Sequence, residues 1–212
     1  MKKLALMVLA LPVSAALLAG CAHDPTVAGT IDGHSISISD VTTLGDFICA
    51  TSKAATQQGN PPQVVPRTLV NERAMTLIAG TRLLEANWRK NQQPAPTVSP
   101  VDVSAVLPFL TPSERPHAQQ LINEVTAAFN AEAQNLRATD PGQVMLAIAD
   151  LIQHATDAGR FAGNPSYPPL AAGLNTASGS ISQAVSGPAK ASMAVTPGAA
   201  YVGGLSTSQK CG

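Results

Sequence analysis

Aromatic and charged side chains are scarce in this chain, and both shortages restrict its fold and function. Aromatic residues make up 3% of the 212 residues and charged residues 12%, whereas 45% are hydrophobic. A core with few aromatics must be filled by aliphatic side chains and alanine, as in closely packed helices. A formal net charge of zero gives no reason to expect a basic surface for nucleic acid. We therefore expect a mainly α-helical protein that does not bind nucleic acid.

The apolar run at the N-terminus is too short to cross a membrane. Lys2 and Lys3 precede an apolar stretch over residues 4–18, whereas a spanning helix needs about 20 apolar residues. A charged start, a short apolar stretch and small residues before a cleavage point are typical of a secretory signal peptide. We predict that residues 1–20 form such a peptide.

The end of this run resembles the lipobox of bacterial lipoproteins, because Leu18, Ala19 and Gly20 precede Cys21. In that family a signal peptidase cuts before the cysteine, which then carries acyl chains such as palmitate. The resemblance implies lipidation of Cys21, a membrane tether over residues 21–26 and a mature chain of 192 residues. It places the protein in the bacterial cell envelope, facing the periplasm or the extracellular side, with the membrane as a partner through the lipid anchor. The alternative is an ordinary secretory signal followed by a chance cysteine.

Only three cysteines are present, and lipidation of Cys21 leaves Cys49 and Cys211. In the oxidising compartment of an exported protein, two remaining thiols predict a Cys49–Cys211 disulfide. Cys211 ends a glycine-rich segment that would fray unless it were tied down. The alternative is that Cys49 is a small buried residue and Cys211 a free thiol.

Residues 27–41 have the pattern of a β-hairpin that leads into a helix. Asp32-Gly33 is a strong turn signal, because glycine tolerates a positive φ. Ile36 and Ile38 alternate with serines, as in a half-buried strand. Ser37 or Ser39 can cap the following helix, which we predict over residues 40–55.

The clearest helix is predicted over residues 66–91, where apolar residues recur at steps of four and three. This apolar stripe consists of Val70, Ala74, Leu77, Thr81, Leu84 and Trp88. It is most simply part of the core, and the alternative is a groove for apolar peptides. Gly80 lies inside this helix at a cost of about 1 kcal/mol relative to alanine, so we expect another backbone to pack there.

Three capping signatures predict the remaining helices. Ser99 begins a short helix that ends near Pro108. Thr111 begins either a helix to about residue 138 or a turn before it. Asp140 begins a helix that Gly159 ends. The expected apolar faces of the last two helices include Leu121, Val125, Leu136, Val144, Ile148, Leu151 and Ala155. Residues 161–170 should form a short extended segment, and residues 171–212 a tail with little charge that is mostly irregular to residue 208.

The order of these elements over residues 27–170 resembles the chaperone core of the SurA and PrsA periplasmic foldases and their actinobacterial lipoprotein relatives. Residues 31–41 resemble the family's entry hairpin. The helix over residues 70–88, which contains Leu83-Leu84-Glu85-Ala86, resembles its next helix, and residues 98–103 resemble the start of the following helix. Asn164-Pro165-Ser166-Tyr167 resembles the closing element, with serine in place of the usual basic residue. The resemblance implies helices packed around a small hairpin, with the chain end returning to that hairpin.

The larger foldases insert a parvulin prolyl isomerase before the closing element, but here only residues 159–161 separate it from the last helix. We therefore expect no isomerase activity, no catalytic residues and no cofactor. The expected function is chaperone-like binding of unfolded or extended exported polypeptides. One alternative is an adaptor lipoprotein that docks a single envelope partner, and another is an enzyme whose site has no recognisable motif.

Side chains that often carry chemistry form no convincing pattern. His23, His34, His117 and His154 lack the paired spacing of metal ligands. Glu124 and Glu132 are most simply part of a solvated helix face, and a catalytic pair is the alternative. We therefore predict neither a metal site nor a catalytic site.

Overall fold

The computed structural model describes residues 24–61, 64–167 and 199–211. The expected signal peptide, Cys21 and His23 lie outside these residues. The described chain is mainly α-helical with a small N-terminal pair of antiparallel strands, which confirms the predicted fold class. Its elements are β1 (Val27–Ile31), β2 (His34–Ser37), α1 (Ile38–Gln57), β3 (Val65–Pro66), α2 (Arg67–Lys90), α3 (Arg115–Leu136), α4 (Pro141–Asp157), β4 (Phe161–Gly163), α5 (Ala199–Gly204) and β5 (Lys210–Cys211).

The N-terminal hairpin forms as predicted and gains a third strand. Asp32 and Gly33 make the turn with φ angles of 48° and 81°. The strand β4 pairs antiparallel with the free edge of β1, which gives the order β2-β1-β4. The extended segment expected after residue 160 therefore exists, and it returns the chain to the hairpin.

Side-chain caps fix the starts of two helices at predicted positions. The Ser37 hydroxyl accepts a hydrogen bond of 2.9 Å from the Asp40 amide and caps α1. The Asp140 carboxylate accepts one of 2.9 Å from the Gly142 amide and caps α4. Before α3, the Thr111 amide donates to Glu114 at 3.1 Å, so this signature is a turn and the helix begins at Arg115.

The helix α2 contacts α1, α3 and α4 and forms the centre of the main core. Its predicted stripe is buried apart from Leu77, which packs partly buried against the core. A Cβ atom added at Gly80 would lie 2.4 Å from Cγ2 of Ile148. The close neighbour at Gly80 is therefore a side chain of α4, and the expectation of a backbone there is wrong.

The apolar faces of α3 and α4 differ in two places from the prediction. Leu136 is 45% exposed because it is the last residue of α3, and the chain then turns through a left-handed Arg137. On α4 the fully buried position is Ile152, whereas Leu151 is only partly buried against the core. Gly159, with φ of 66°, follows the end of α4 as predicted.

The short helix expected from Ser99 to Pro108 is absent, and a 3-10 turn at Leu107–Phe109 is the only helical part of this stretch. Side chains of α3 bind the backbone that such a helix would use. The Val101 amide donates to Asn123 at 2.9 Å, and Gln119 donates to the Val101 carbonyl at 3.1 Å. The Asp102 carboxylate accepts from the Ser104 amide, a local turn that competes with a helix start. Tertiary hydrogen bonds therefore override the capping signature.

The expectation of an irregular chain to residue 208 is wrong for residues 199–208, which include α5 and a 3-10 turn. The strand β5 pairs antiparallel with β3, with Cys211 opposite Val65. Cys211 is bonded to Cys49 of α1 across 162 residues, with the two Cα atoms 5.0 Å apart, within the range that a disulfide requires. The cross-link and the strand pair hold the C-terminal segment in an ordered conformation.

Candidate functional site

Residues 93–101 cross from the end of α2 to α3 as an irregular segment, which we call the strap. Prolines at 94, 96 and 100 exclude a regular helix and restrict the residues before them to extended backbone. The strap is anchored at both ends. The Gln93 amide donates to the Trp88 carbonyl at 2.9 Å, and the backbone of Val101 is held by Asn123 and Gln119.

A cleft of about 820 Å³ lies between the strap and the C-terminal half of α3, with Trp88 in its lining. This volume is within the usual range of ligand-binding pockets. None of its lining side chains carries a charge. The lining consists of Trp88, Gln93, Pro94, Ala95, Pro96, Thr97, Ser99, Pro100, Val101, Thr126, Ala127, Asn130, Ala131, Gln134 and Asn135.

The α3 wall of the cleft carries amide side chains. Asn130 and Gln134 are exposed and lie one helical turn apart. Neither amide has a hydrogen-bond partner elsewhere in the described chain, and Asn135 makes only a contact of 3.4 Å to Glu132. A primary amide both donates and accepts hydrogen bonds. This wall can therefore pair with a polypeptide backbone or with another uncharged polar ligand.

A smaller pocket of about 220 Å³ lies beside the cleft. The two cavities share five lining residues, which are Trp88, Gln93, Ala95, Pro96 and Ala127. The small pocket is further lined by Glu85, Arg89, Val98, Glu124 and Ala128. Val98 is 53% exposed, which is unusual for a large aliphatic side chain. Residues of the strap therefore line both an uncharged cleft and a compact pocket with charged residues in its lining.

The carboxylates of the small pocket are held by one guanidinium. Arg82 donates to Glu85 at 3.2 Å and to Glu124 at 3.2 Å. Burial lowers the pKa of Arg82, but Glu85, Glu124 and the nearby Asp40 outweigh this effect and raise it above its ordinary value. Asp40 also accepts a contact of 2.9 Å from Nε2 of His117. Both carboxylates in the lining of the small pocket are therefore paired with Arg82.

The other candidate residues of the sequence are not brought together. His34 is exposed on β2, and His154 pairs with Asp150 on the surface of α4. Glu124 binds Arg82, whereas Glu132 contacts Asn135. Over residues 24–61, 64–167 and 199–211, no three histidine, cysteine, aspartate or glutamate side chains are grouped to hold a metal ion.

The cleft was not predicted from the sequence, although one signal for it was present. The prolines at 94, 96 and 100 break the helical pattern between two long helices. Such a break marks a connecting segment but does not show what lies beneath it. The amide side chains of α3 can also be read from the sequence, but only the folded structure places them opposite the strap.

Within the described ranges, no helix has the length and apolar character needed to cross a bilayer. Comparison of the chain with protein-family models, curated proteins and solved structures finds no match. The function assigned to the cleft therefore has to be argued from the residues that form it.

Proposed function

We propose that this chain is an exported, lipid-anchored lipoprotein that binds unfolded or extended polypeptides in the cleft beneath the strap, without catalysis. The observation that carries the proposal is the uncharged lining of the cleft beside two free amides on α3. All unfolded polypeptides share a backbone of amide donors and acceptors. A wall of primary amides can pair with that backbone whatever the side-chain sequence.

The apolar part of the lining supports the same assignment. Pro94, Ala95 and Pro100 of the strap are exposed and offer contact area for apolar side chains that unfolded polypeptides expose. The absence of charge from the lining avoids the cost of desolvating ions when a client enters. The cleft therefore suits broad, weakly selective binding better than recognition of a charged ligand.

We also propose that the chain is related to the SurA-like chaperone cores. The order of its secondary-structure elements along the sequence supports this relationship. The return of β4 to β1 agrees with a closing element, and Ala158, Gly159 and Arg160 alone connect α4 to β4. This connection is too short for a parvulin domain, so we propose no prolyl isomerase activity. Two features depart from the family pattern, namely the missing helix at residues 98–103 and the serine at 166.

An aggregation assay with the purified full chain tests the proposal. At several-fold excess over the client, the protein should slow the aggregation of several unrelated unfolded proteins. Asn130→Asp combined with Gln134→Glu places two charges in the cleft and should remove most of this activity. The matched control is Gln57→Glu with Gln58→Glu, which places two charges on exposed residues outside the cleft.

Two results would contradict the proposal. Failure to delay the aggregation of any client would reject chaperone-like binding, and tight one-to-one capture of a single envelope protein would then favour the adaptor alternative. Equal activity of the cleft variant and its control would show that binding occurs elsewhere on the surface.

A further inference from the structure

We infer that Arg67 is a positioning residue for closure of the Cys49–Cys211 disulfide. Arg67 stabilises Cys49 as a thiolate, and this thiolate attacks Cys211 after a disulfide donor has reacted there. The implied partner is a molecule that carries a reactive disulfide, and its point of attachment is Cys211. The inference concerns how the cross-link forms, and it is independent of the cleft and of its occupant.

The guanidinium of Arg67 lies between a carboxylate and one sulfur of the cross-link. Its Nη1 donates to Sγ of Cys49 at 3.4 Å, whereas its Nη2 donates to the Asp46 carboxylate. Asp46 and Cys49 are three residues apart on α1, so they lie on the same side of that helix. The ion pair with Asp46 therefore orients the guanidinium and leaves Nη1 directed at the sulfur.

This contact favours the ionised form of a reduced Cys49. A thiolate accepts the bond from Nη1 as an anion, whereas a thiol sulfur is only a weak acceptor. Cysteines beside an arginine are for this reason more ionised, and more reactive at neutral pH, than free cysteine. The hydrogen bond discriminates between the two forms even though Asp46 balances the formal charge of Arg67.

The contact between Arg67 and Cys49 does not depend on the cross-link. Cys49 lies on α1, and Arg67 is the first residue of α2. These two helices pack directly against each other, and the ion pair between Asp46 and Arg67 joins them at the same place. The sulfur and the guanidinium should therefore already be adjacent in the reduced, folded chain.

Cys211 is the cysteine that a donor can reach first. It belongs to β5, a strand of two residues that pairs with the equally short β3. A strand pair of this size is marginal by itself, and terminal residues fray unless they are tied down. Before closure, Cys211 can therefore leave its site, whereas Cys49 stays beside Val70 between α1 and α2.

Closure then consists of two thiol–disulfide exchanges. The Cys211 thiolate attacks the donor disulfide, forms a mixed disulfide with one donor sulfur and releases the other as a thiolate. The Cys49 thiolate next attacks Sγ of Cys211, which forms the cross-link and expels the second donor thiolate. Two electrons pass from the protein thiols to the donor, and the two protons end on the donor thiols.

The pH profile of Cys49 alkylation in the full-length Cys211→Ser variant tests the role of Arg67. Iodoacetamide reacts with the thiolate, and peptide mapping assigns the product to its cysteine. The midpoint of the profile should lie at least about one pH unit below that of the same chain in urea. Burial alone would raise the midpoint, so a lowered midpoint requires a charged neighbour.

Substitutions in this background separate Arg67 from general effects on the fold. Arg67→Gln should raise the midpoint to the urea value or above it, and Arg67→Lys should retain part of the shift. The matched control is Arg73→Gln, which removes one positive charge from an exposed position of the same helix. This control should leave the midpoint unchanged.

Oxidation of the reduced full chain by glutathione disulfide tests the order of the two exchanges. Acid quenching followed by mass spectrometry should detect a glutathione adduct at Cys211 that gives way to the cross-link. At pH 7, Arg67→Gln should slow the second exchange by about threefold or more, so that the adduct accumulates. Arg73→Gln should close at the wild-type rate.

Three results would overturn the inference. The first is an alkylation midpoint that Arg67→Gln leaves unchanged. The second is glutathione attached mainly to Cys49 during oxidation. The third is a Cys211→Ser variant that circular dichroism shows to be unfolded, because the contact between Arg67 and Cys49 must exist before the cross-link closes.

Discussion

Arg160 and Asp32, 128 residues apart in the sequence, form a two-pronged ion pair that joins the end of the helical core to the hairpin turn. The Arg160 guanidinium donates from Nε to Oδ1 at 2.9 Å and from Nη2 to Oδ2 at 2.8 Å. The Asp32 amide donates to the Arg160 carbonyl at 2.8 Å. The return of the chain to the hairpin is therefore fixed by side-chain and backbone bonds at the same two residues.

The Asp32→Asn variant should lose part of the pH dependence of stability. Arg160, through its hydrogen bonds to the Asp32 carboxylate, lowers the pKa of Asp32. A carboxyl group whose pKa is lower in the folded state stabilises the fold above its unfolded pKa of about 3.9, and this contribution is lost as the pH falls through the folded pKa. Urea unfolding at pH 7 should show wild type as the more stable protein, with a difference that shrinks as the pH falls below about 4.

Asparagine tolerates the left-handed backbone of position 32, so the turn is kept in this variant. Arg160→Gln removes the other partner of the ion pair and should abolish the same pH-dependent contribution to stability. A difference between wild type and Asp32→Asn that stays constant from pH 7 to pH 2.5 would contradict the assignment.

Loss of the Cys49–Cys211 disulfide should strongly destabilise the fold. For a loop of 162 residues the chain-entropy model gives about 5 kcal/mol, and measured values are often smaller. Cys49→Ser and Cys211→Ser should lower the free energy of unfolding by similar amounts, and the double variant by little more. Chemical denaturation with and without reductant measures the effect.

Non-reducing peptide mapping of protein from the cell envelope should recover one peptide pair that joins Cys49 to Cys211. Two free thiols in that material would contradict the cross-link.

Gly80→Ala should destabilise the protein although alanine is the better helix former by about 1 kcal/mol. The new methyl group would overlap Cγ2 of Ile148, a stiff β-branched side chain, and overpacking costs about 1–3 kcal/mol. In a double-mutant cycle, Ile148→Ala should relieve this overlap, so that Gly80→Ala becomes less costly in that background.

The control for Gly80 is Gly203→Ala in α5, where an added Cβ meets no atom within 4 Å. This variant should be neutral or slightly stabilising in urea unfolding. If Gly80→Ala were stabilising, α2 and α4 would have to separate easily. That result would contradict a tight contact between Gly80 and Ile148.

Cys21→Ser should yield an unprocessed or soluble species, because the expected acyl anchor depends on that thiol. Mass spectrometry of the wild-type protein should find an acylated N-terminal cysteine at position 21. An unacylated mature N-terminus at another residue would reject the lipoprotein assignment in favour of an ordinary secretory signal.

Local signals were sufficient to predict the elements whose ends are set by their own residues. Asp32-Gly33 makes its turn through backbone preference, and Ser37 and Asp140 cap the helices that follow them. The apolar stripe of α2 predicted the long central helix, because an apolar stripe at helical spacing is expected to face a core.

The errors fall where distant residues compete with local preference. Ser99 carries a good capping signature, but Asn123 and Gln119 take the backbone groups of Val101 instead. The C-terminal segment is rich in glycine, yet β3 and Cys49 order its end. The cleft could not be predicted, because the strap meets α3 only after α2 and α3 have packed together.

Photo-crosslinking from within the cleft would show directly whether a polypeptide binds there. We would replace Asn130 by the photoreactive residue p-benzoylphenylalanine and, as a control, replace Leu146 on α4 in the same way, since both positions are exposed. With an unfolded client present, we expect a cross-linked product from position 130 and little from position 146. Equal cross-linking from both positions, or a product from position 146 alone, would contradict polypeptide binding in the cleft.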